Sequence, residues 1–80
     1  MEKEVIIYGT KACPFCHKAR EFMKAHNVTF KDVLVDEDEK ARDEMIEESG
    51  QMSVPVIRVG EEIIVGYDEE KLKKALELED

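Results

Sequence analysis

Apolar residues recur along the chain with two different spacings, and the changes of spacing divide it into short segments. Four short apolar runs, rich in β-branched residues, are typical of strands, and three longer segments repeat their apolar residues at helical spacing. The predicted strands are residues 5–8, 28–35, 54–59 and 62–65. The predicted helices begin after Cys13, after the acidic run 36–39 and after Asp68. We therefore predict one α/β domain, residues 1–80, with the element order βαβαββα.

The predicted helices have residues suited to their ends. Pro14 fits a first helical turn, where a missing N–H removes no helical hydrogen bond, and Asp68 is suited to cap the third helix. Asn27 and the pair Ser49-Gly50 are typical stops for the first two helices. The residues expected to face the core are Ala19, Phe22, Met23 and His26 in the first helix, Ala41, Met45 and Ile46 in the second, and Leu72, Ala75 and Leu76 in the third. The first strand, apolar at every position, is expected to be buried on both faces.

Charge and composition narrow the class of protein. The net charge of −8 argues against binding to nucleic acid or to an anionic membrane surface. No apolar stretch is long enough to span a membrane, and no signal peptide is visible at the N-terminus. We therefore expect a cytoplasmic protein. Structural disulfides are rare in that compartment, so the two cysteines are expected to serve catalysis or metal binding.

The two cysteines stand at the start of the first predicted helix, in the sequence Cys13-Pro14-Phe15-Cys16. Unpaired N–H groups at a helix N-terminus favour a thiolate, and the ammonium group of Lys11 is a second candidate for lowering the pKa of Cys13. Cys13 is expected to be exposed and Cys16 to be shielded one turn further on. This arrangement suits thiol–disulfide exchange, with Cys13 as the nucleophile and Cys16 as the resolving thiol.

Other chemistries use the same residues. With His17 the motif becomes CxxCH, the pattern of covalent haem attachment, but that function needs export and a helical fold around the haem. A structural zinc site needs four ligands, and His17 and His26 lie on one helix, so we expect no metal site within the chain. An iron–sulfur cluster shared between two subunits remains an alternative. Tyr8, Phe15 and Tyr67 are candidates for lining a substrate groove, with packing as the alternative for Tyr8 and Phe15.

Four separated motifs match one known family in its own order. They are Cys13-Pro14-Phe15-Cys16-His17, Arg42-Asp43-Glu44-Met45-Ile46 with Ser49-Gly50, Ser53-Val54-Pro55, and Gly66-Tyr67-Asp68. On these motifs the chain resembles the glutaredoxins, small members of the thioredoxin-fold superfamily, from Val5 to about Leu76. The resemblance implies a thioredoxin-like fold, a four-stranded mixed sheet flanked by three helices. It further implies that the first two strands are parallel and that the hairpin is antiparallel to them.

The resemblance also implies a substrate site beside the cysteines. Pro55 is expected to be cis, and Val54 to offer its backbone to the substrate in strand-like pairing. Asp68 and the backbone around Tyr67 would hold the γ-glutamyl end of glutathione, and Arg42 and Lys11 its glycyl carboxylate. The full expected binding set is Lys11, Phe15, Arg42, Ser53, Val54, Pro55, Gly66, Tyr67 and Asp68.

Two departures from the family's pattern concern glutathione. Val65 stands where many glutaredoxins have the first of two glycines, and Thr10 stands where their lysine usually lies, with Lys11 one place later. A related branch, reduced by thioredoxin reductase, has similar changes.

Taken together, the motifs predict a monomeric dithiol oxidoreductase with no resident cofactor. Its substrates would be protein disulfides or glutathione mixed disulfides. The donor is glutathione as a co-substrate or thioredoxin reductase, and ribonucleotide reductase is one candidate client.

Overall fold

The computed structural model describes residues 4–77, and the predicted domain's first and last three residues lie outside that range. Within it the predicted order βαβαββα is confirmed. The elements are β1 (Val5–Gly9), α1 (Pro14–Ala25), β2 (Lys31–Leu34), α2 (Glu39–Ser49), β3 (Val56–Val59), β4 (Glu62–Val65) and α3 (Glu69–Leu76).

The strands form one mixed sheet in the order β2-β1-β3-β4. β1 and β2 are parallel, and β3 runs antiparallel to β1. β4 is antiparallel to β3 and so runs in the same direction as β1. The expectation that the whole hairpin opposes the first two strands is therefore right for β3 and wrong for β4, because the two strands of a hairpin must run in opposite directions.

The sheet is covered on both faces, and this creates two apolar cores. One lies under α1 and α3 and contains Val5, Ile7, Ala19, Phe22, Met23, Ile57, Val59, Ile64, Leu72 and Ala75. The other lies under α2 and contains Tyr8, Val35, Ala41, Met45 and Val56. β1 contributes alternate side chains to both cores, as the continuous apolar run predicts. The predicted helix stripes are confirmed except at His26, which is exposed beyond the end of α1 and stacks on Phe22 with ring centroids 4.4 Å apart.

Two strands are shorter than predicted. β2 was expected over residues 28–35, but the N–H of Val28 donates to the Met23 carbonyl at the end of α1 (2.8 Å), so this part of the chain is not in the ladder. β3 was expected from residue 54 but begins at Val56, because Pro55 has no N–H to donate to a neighbouring strand. In both places the apolar run in the sequence begins before the first residue of the hydrogen-bonded strand.

The helix ends depend on local side chains. Asp68 caps α3 as predicted and accepts from the Lys71 N–H at 3.2 Å. Asp38 caps α2 in the same way through the Ala41 N–H at 3.1 Å. Gly50 ends α2 at a φ of 71°, where a residue without a Cβ is favoured. Among residues 4–77, no helix has the length and apolar content that crossing a membrane requires.

Candidate active site

Both cysteines lie at the N-terminus of α1, and both are free thiols. Cys13 is the N-cap residue, and its Sγ accepts a hydrogen bond from the Cys16 N–H at 3.3 Å. Cys13 is partly exposed, whereas Cys16 has 0% of its surface exposed. The predicted contrast between a reachable and a shielded thiol is therefore present in the structure.

The two thiols have opposite pKa shifts. Burial alone would raise the pKa of Cys13, but hydrogen bonds from the Cys16 thiol and from the N–H groups of Cys16 and Phe15, together with the positive charge of Arg20, bring it below its usual value. Burial, with the neighbouring Cys13 sulfur, raises the pKa of Cys16 to about 11. At any given pH the arrangement therefore gives Cys13 a larger thiolate fraction than Cys16.

Arg20 is a site residue that the sequence analysis missed. Its guanidinium donates through Nε to Asp32 Oδ1 at 3.0 Å and through Nη2 to the Thr10 carbonyl at 3.2 Å. Lys11, the candidate cation for lowering the pKa of Cys13, instead forms an ion pair with Glu37 at 3.1 Å on the surface. The cation whose charge lowers the pKa of Cys13 is Arg20. The available signal was spacing, because a residue four positions after Cys16 lies on the same face of the helix.

Gly9 is a second residue whose importance was missed. A Cβ at Gly9 would lie 2.7 Å from Cys16 Sγ and 3.0 Å from Cys16 Cβ, closer than side chains pack. In the sequence, Gly9 is notable only as the residue that follows the predicted first strand, residues 5–8. In the structure, its lack of a side chain provides the space in which the buried thiol lies against β1.

A cavity of about 560 Å³ lies at the same edge of the sheet, between the loop after β1, α2 and the loop before β3. Two of the predicted binding residues, Arg42 and Val54, line it. The other lining residues are Thr10, Val35, Met45 and Met52 and three acidic residues, Asp36, Glu37 and Glu39, which we call the acidic rim. Arg42 lies 4.0 Å from Glu39 in this rim. The peptide bond between Val54 and Pro55 is cis, as the resemblance implied.

The remaining predicted binding residues are arranged around Pro55 and the start of α3. Gly66, at a φ of 85°, donates its N–H to the Pro55 carbonyl at 2.7 Å. Tyr67 is half-buried, and its ring contacts Phe22 edge-on in the core under α1 and α3. Asp68 serves as the cap of α3, and Ser53 is exposed in the loop before Pro55.

The three aromatic candidates for a groove differ in their positions. Tyr8 is only 3% exposed and belongs to the core under α2, so packing explains it and a groove role does not. Phe15 is 55% exposed between the two cysteines, with the Lys18 ammonium 5.4 Å from its ring centroid. Phe15 is therefore available for contact with a substrate. Within residues 4–77, no group of three or more His, Cys, Asp or Glu residues is arranged to hold a metal ion.

Comparison with known proteins agrees with this geometry. Residues 5–64 match the sequence model of the glutaredoxin family. An uncharacterized glutaredoxin-like 8.6 kDa protein in a rubredoxin operon of Clostridium pasteurianum is 44% identical over 71 residues, covering 89% of this chain and 95% of that protein. The glutaredoxin from Archaeoglobus fulgidus superposes with a TM-score of 0.85 at 36% identity, covering 96% of this chain and 88% of that one. The thioredoxin-like protein BC3987 superposes with a TM-score of 0.86 at 29% identity, covering 91% of this chain and 100% of that one.

The fold and the unequal pair of thiols define a thiol–disulfide oxidoreductase with a thioredoxin-like fold. Within that class the chain belongs to the glutaredoxin family, because the family match runs from β1 to β4 through both cysteines.

Proposed function

We propose that this protein reduces disulfides in other proteins by a two-cysteine mechanism, and that a thioredoxin reductase rather than glutathione reduces it in turn. The observation that supports the two-cysteine mechanism is the contrast between its thiols. Cys13 is reachable and has a lowered pKa, whereas Cys16 is fully buried with a pKa of about 11. Thiolate fraction and access decide which sulfur attacks first, so Cys13 is the nucleophile.

In this mechanism the Cys13 thiolate attacks one sulfur of the substrate disulfide. The substrate S–S bond breaks, the leaving thiolate takes a proton from water, and a mixed disulfide forms at Cys13. Cys16 then loses its proton to water and attacks Cys13 Sγ, which releases the second substrate thiolate. The substrate gains two electrons, and the protein is left with a Cys13–Cys16 disulfide for the donor to reduce.

The electrostatics of the cavity supports the choice of donor. Glutathione has two carboxylates, and the two cations assigned to its glycyl end already have acidic neighbours, Glu37 beside Lys11 and Glu39 beside Arg42. Asp36, the third residue of the acidic rim, adds one further negative charge to the cavity lining. An anionic tripeptide would therefore meet repulsion where a glutathione site needs attraction.

The donor is tested by comparing two complete reducing systems on one disulfide substrate such as insulin. We expect turnover with NADPH and thioredoxin reductase, and turnover at least about tenfold slower with glutathione and glutathione reductase, which corresponds to about 1.4 kcal/mol of discrimination. Equal or faster turnover with glutathione would overturn the choice of donor while leaving the two-cysteine mechanism intact.

The role of the acidic rim is tested with small thiols of different charge. Rates of reduction of the Cys13–Cys16 disulfide, compared per thiolate, should follow the order cysteamine, mercaptoethanol, mercaptoacetate. The rate should fall about fivefold from each thiol to the next, which corresponds to a Coulomb interaction of about 1 kcal/mol. High salt should reduce the differences in rate between the three thiols. Glu37→Gln and Glu39→Gln should reduce them as well. Glu61→Gln, an equal charge change in the β3–β4 turn, should leave them unchanged. A charge-independent order would contradict the role of the rim.

A further inference from the structure

Arg20 connects three parts of the site. It lies on α1 four residues after Cys16, bonds Asp32 on β2, and bonds the carbonyl of Thr10 in the loop between β1 and α1. Its side chain is only 14% exposed, far less than those of Lys11 or Lys24. Two directional hydrogen bonds therefore fix a charged group that is largely removed from water.

The guanidinium lies close to the buried sulfur. The point that a Gly9 Cβ would occupy is 2.7 Å from Cys16 Sγ and 3.3 Å from Arg20 Nη2, so both groups border the same small space above Gly9. The absence of a side chain at Gly9 allows this approach. The positive charge is thereby placed beside the buried Cys16 sulfur.

We propose that Arg20 is the positioning residue for the second step, in which its guanidinium stabilises the Cys16 thiolate that resolves the mixed disulfide. The proposal deepens the two-cysteine mechanism above and rests on it. In that step Cys16 gives its proton to water, the new bond forms between Cys16 Sγ and Cys13 Sγ, and the substrate sulfur leaves with the electron pair of the broken bond.

The need for such a group follows from the burial of Cys16. A thiol with no exposed surface resists ionisation, yet only the thiolate attacks a disulfide. Once Cys13 is part of a mixed disulfide, it no longer carries the negative charge that opposes ionisation of Cys16. The stabilising groups facing Cys16 are then the backbone of Thr10 and the charge of Arg20, with Asp32 on β2 as the counter-charge to Arg20.

The experiment isolates this second step. The mixed disulfide between Cys13 and a chromogenic aromatic thiol is formed in a rapid-mixing instrument, and release of the thiol by Cys16 is followed as a function of pH. In Arg20→Gln we expect release at pH 7 to slow at least about threefold. A pKa rise of one unit lowers the thiolate fraction about tenfold, and higher intrinsic nucleophilicity recovers about threefold of that loss. The pH profile should also move to higher pH.

Three variants separate an electrostatic role from a structural one. Arg20→Lys keeps the charge and should recover most of the rate. Asp32→Asn breaks the ion pair but leaves Arg20 charged, so release should be as fast as wild type or faster. Lys24→Gln removes an exposed charge from the same helix and should match wild type. Thermal unfolding checks the folding of each variant.

Wild-type release of the thiol tests the two-cysteine mechanism itself, and the variants test Arg20. The proposal is overturned if Arg20→Gln releases at the wild-type rate, if Arg20→Lys is as slow as Arg20→Gln, or if Asp32→Asn is slowed to the same extent. Should Arg20→Gln fail to fold, Arg20→Lys and Asp32→Asn still decide the question. A slow Asp32→Asn would then mean that the ion pair only anchors α1 to β2.

Discussion

The dithiol and the neighbouring cavity lie at the same edge of the sheet but differ in charge. Around the sulfurs, burial would raise the pKa of Cys13, but hydrogen bonds from the Cys16 thiol and from backbone N–H groups, together with the charge of Arg20, lower it. Around the cavity, Asp36, Glu37 and Glu39 form the acidic rim. Thr10 belongs to both regions, because its carbonyl accepts from Arg20 and the residue lines the cavity. The reactivity of the attacking sulfur therefore depends on hydrogen bonds within the first turn of α1. Discrimination among substrates would instead depend on exposed charges, which salt screens.

The largest expected effect separates the two sulfurs. Cys13→Ser removes the nucleophile, so disulfide reduction should be abolished. Cys16→Ser keeps the nucleophile but removes the resolving thiol, so it should accumulate a mixed disulfide with the substrate. Mass spectrometry of the non-reduced protein measures that adduct. Mixed disulfide formed at Cys16 in Cys13→Ser, with none formed in Cys16→Ser, would reverse the assigned roles.

A smaller effect concerns the space above Gly9. Gly9→Ala places a Cβ against Cys16 Sγ, so we expect a loss of about 1–3 kcal/mol in the free energy of unfolding, together with slower resolution, because overpacking displaces the buried thiol. Urea unfolding under reducing conditions measures the loss. The matched control is Gly9→Ala in a Cys16→Ala background, where the cost should shrink because the clashing sulfur is absent. An equal cost in both backgrounds would mean that the backbone of β1, not the thiol, excludes a side chain.

The smallest effect is the dependence of stability on pH. The pKa of Cys13 in the folded protein is below its usual 9.0. The folded state therefore stabilises the Cys13 thiolate more than the unfolded chain does. This contribution to stability is fully present above the unfolded pKa and is lost as pH falls through the lowered folded pKa. The difference in unfolding free energy between reduced wild type and Cys13→Ser should therefore grow from acid pH to about pH 9. A difference that stays constant with pH would show that the N-terminus of α1 does not stabilise the thiolate.

Much of the fold was predictable because its signals are local. The βαβαββα order, the Pro14 start of α1 and the Asp68 cap of α3 each depend on a few consecutive residues, and the structure has all of them. The predicted bounds are wrong where an apolar pattern continues beyond the hydrogen-bonded strand or helix. The apolar run before β2 bonds to the end of α1 instead of to a strand, and His26 continues the helical spacing but lies past the last turn.

The parts of the site that were missed depend on residues far apart in sequence. Lys11 and Arg20 are both cations close to the two cysteines in sequence. Their spacing alone does not show which of them lowers the pKa of Cys13. The choice is made by their partners, because Glu37 holds Lys11 at the surface while Asp32 and the Thr10 carbonyl hold Arg20 beneath the sulfurs. In the same way, Gly9 acquires its role only when α1 packs on β1.

The reacting atoms can be recognised in the amino-acid sequence alone, as two thiols three residues apart at a helix start. Pro55 and the cap of the last helix can be recognised in the same way. These follow from short-range chemistry, in which backbone N–H groups and neighbouring residues act within one turn. The packing of the chain is needed to know which cation acts on the dithiol, which glycine makes room for Cys16, and which charges line the cavity. Those depend on side chains brought together by the packing of α1, α2 and β2, and their electrostatic effect depends on distance and burial, which no local pattern contains.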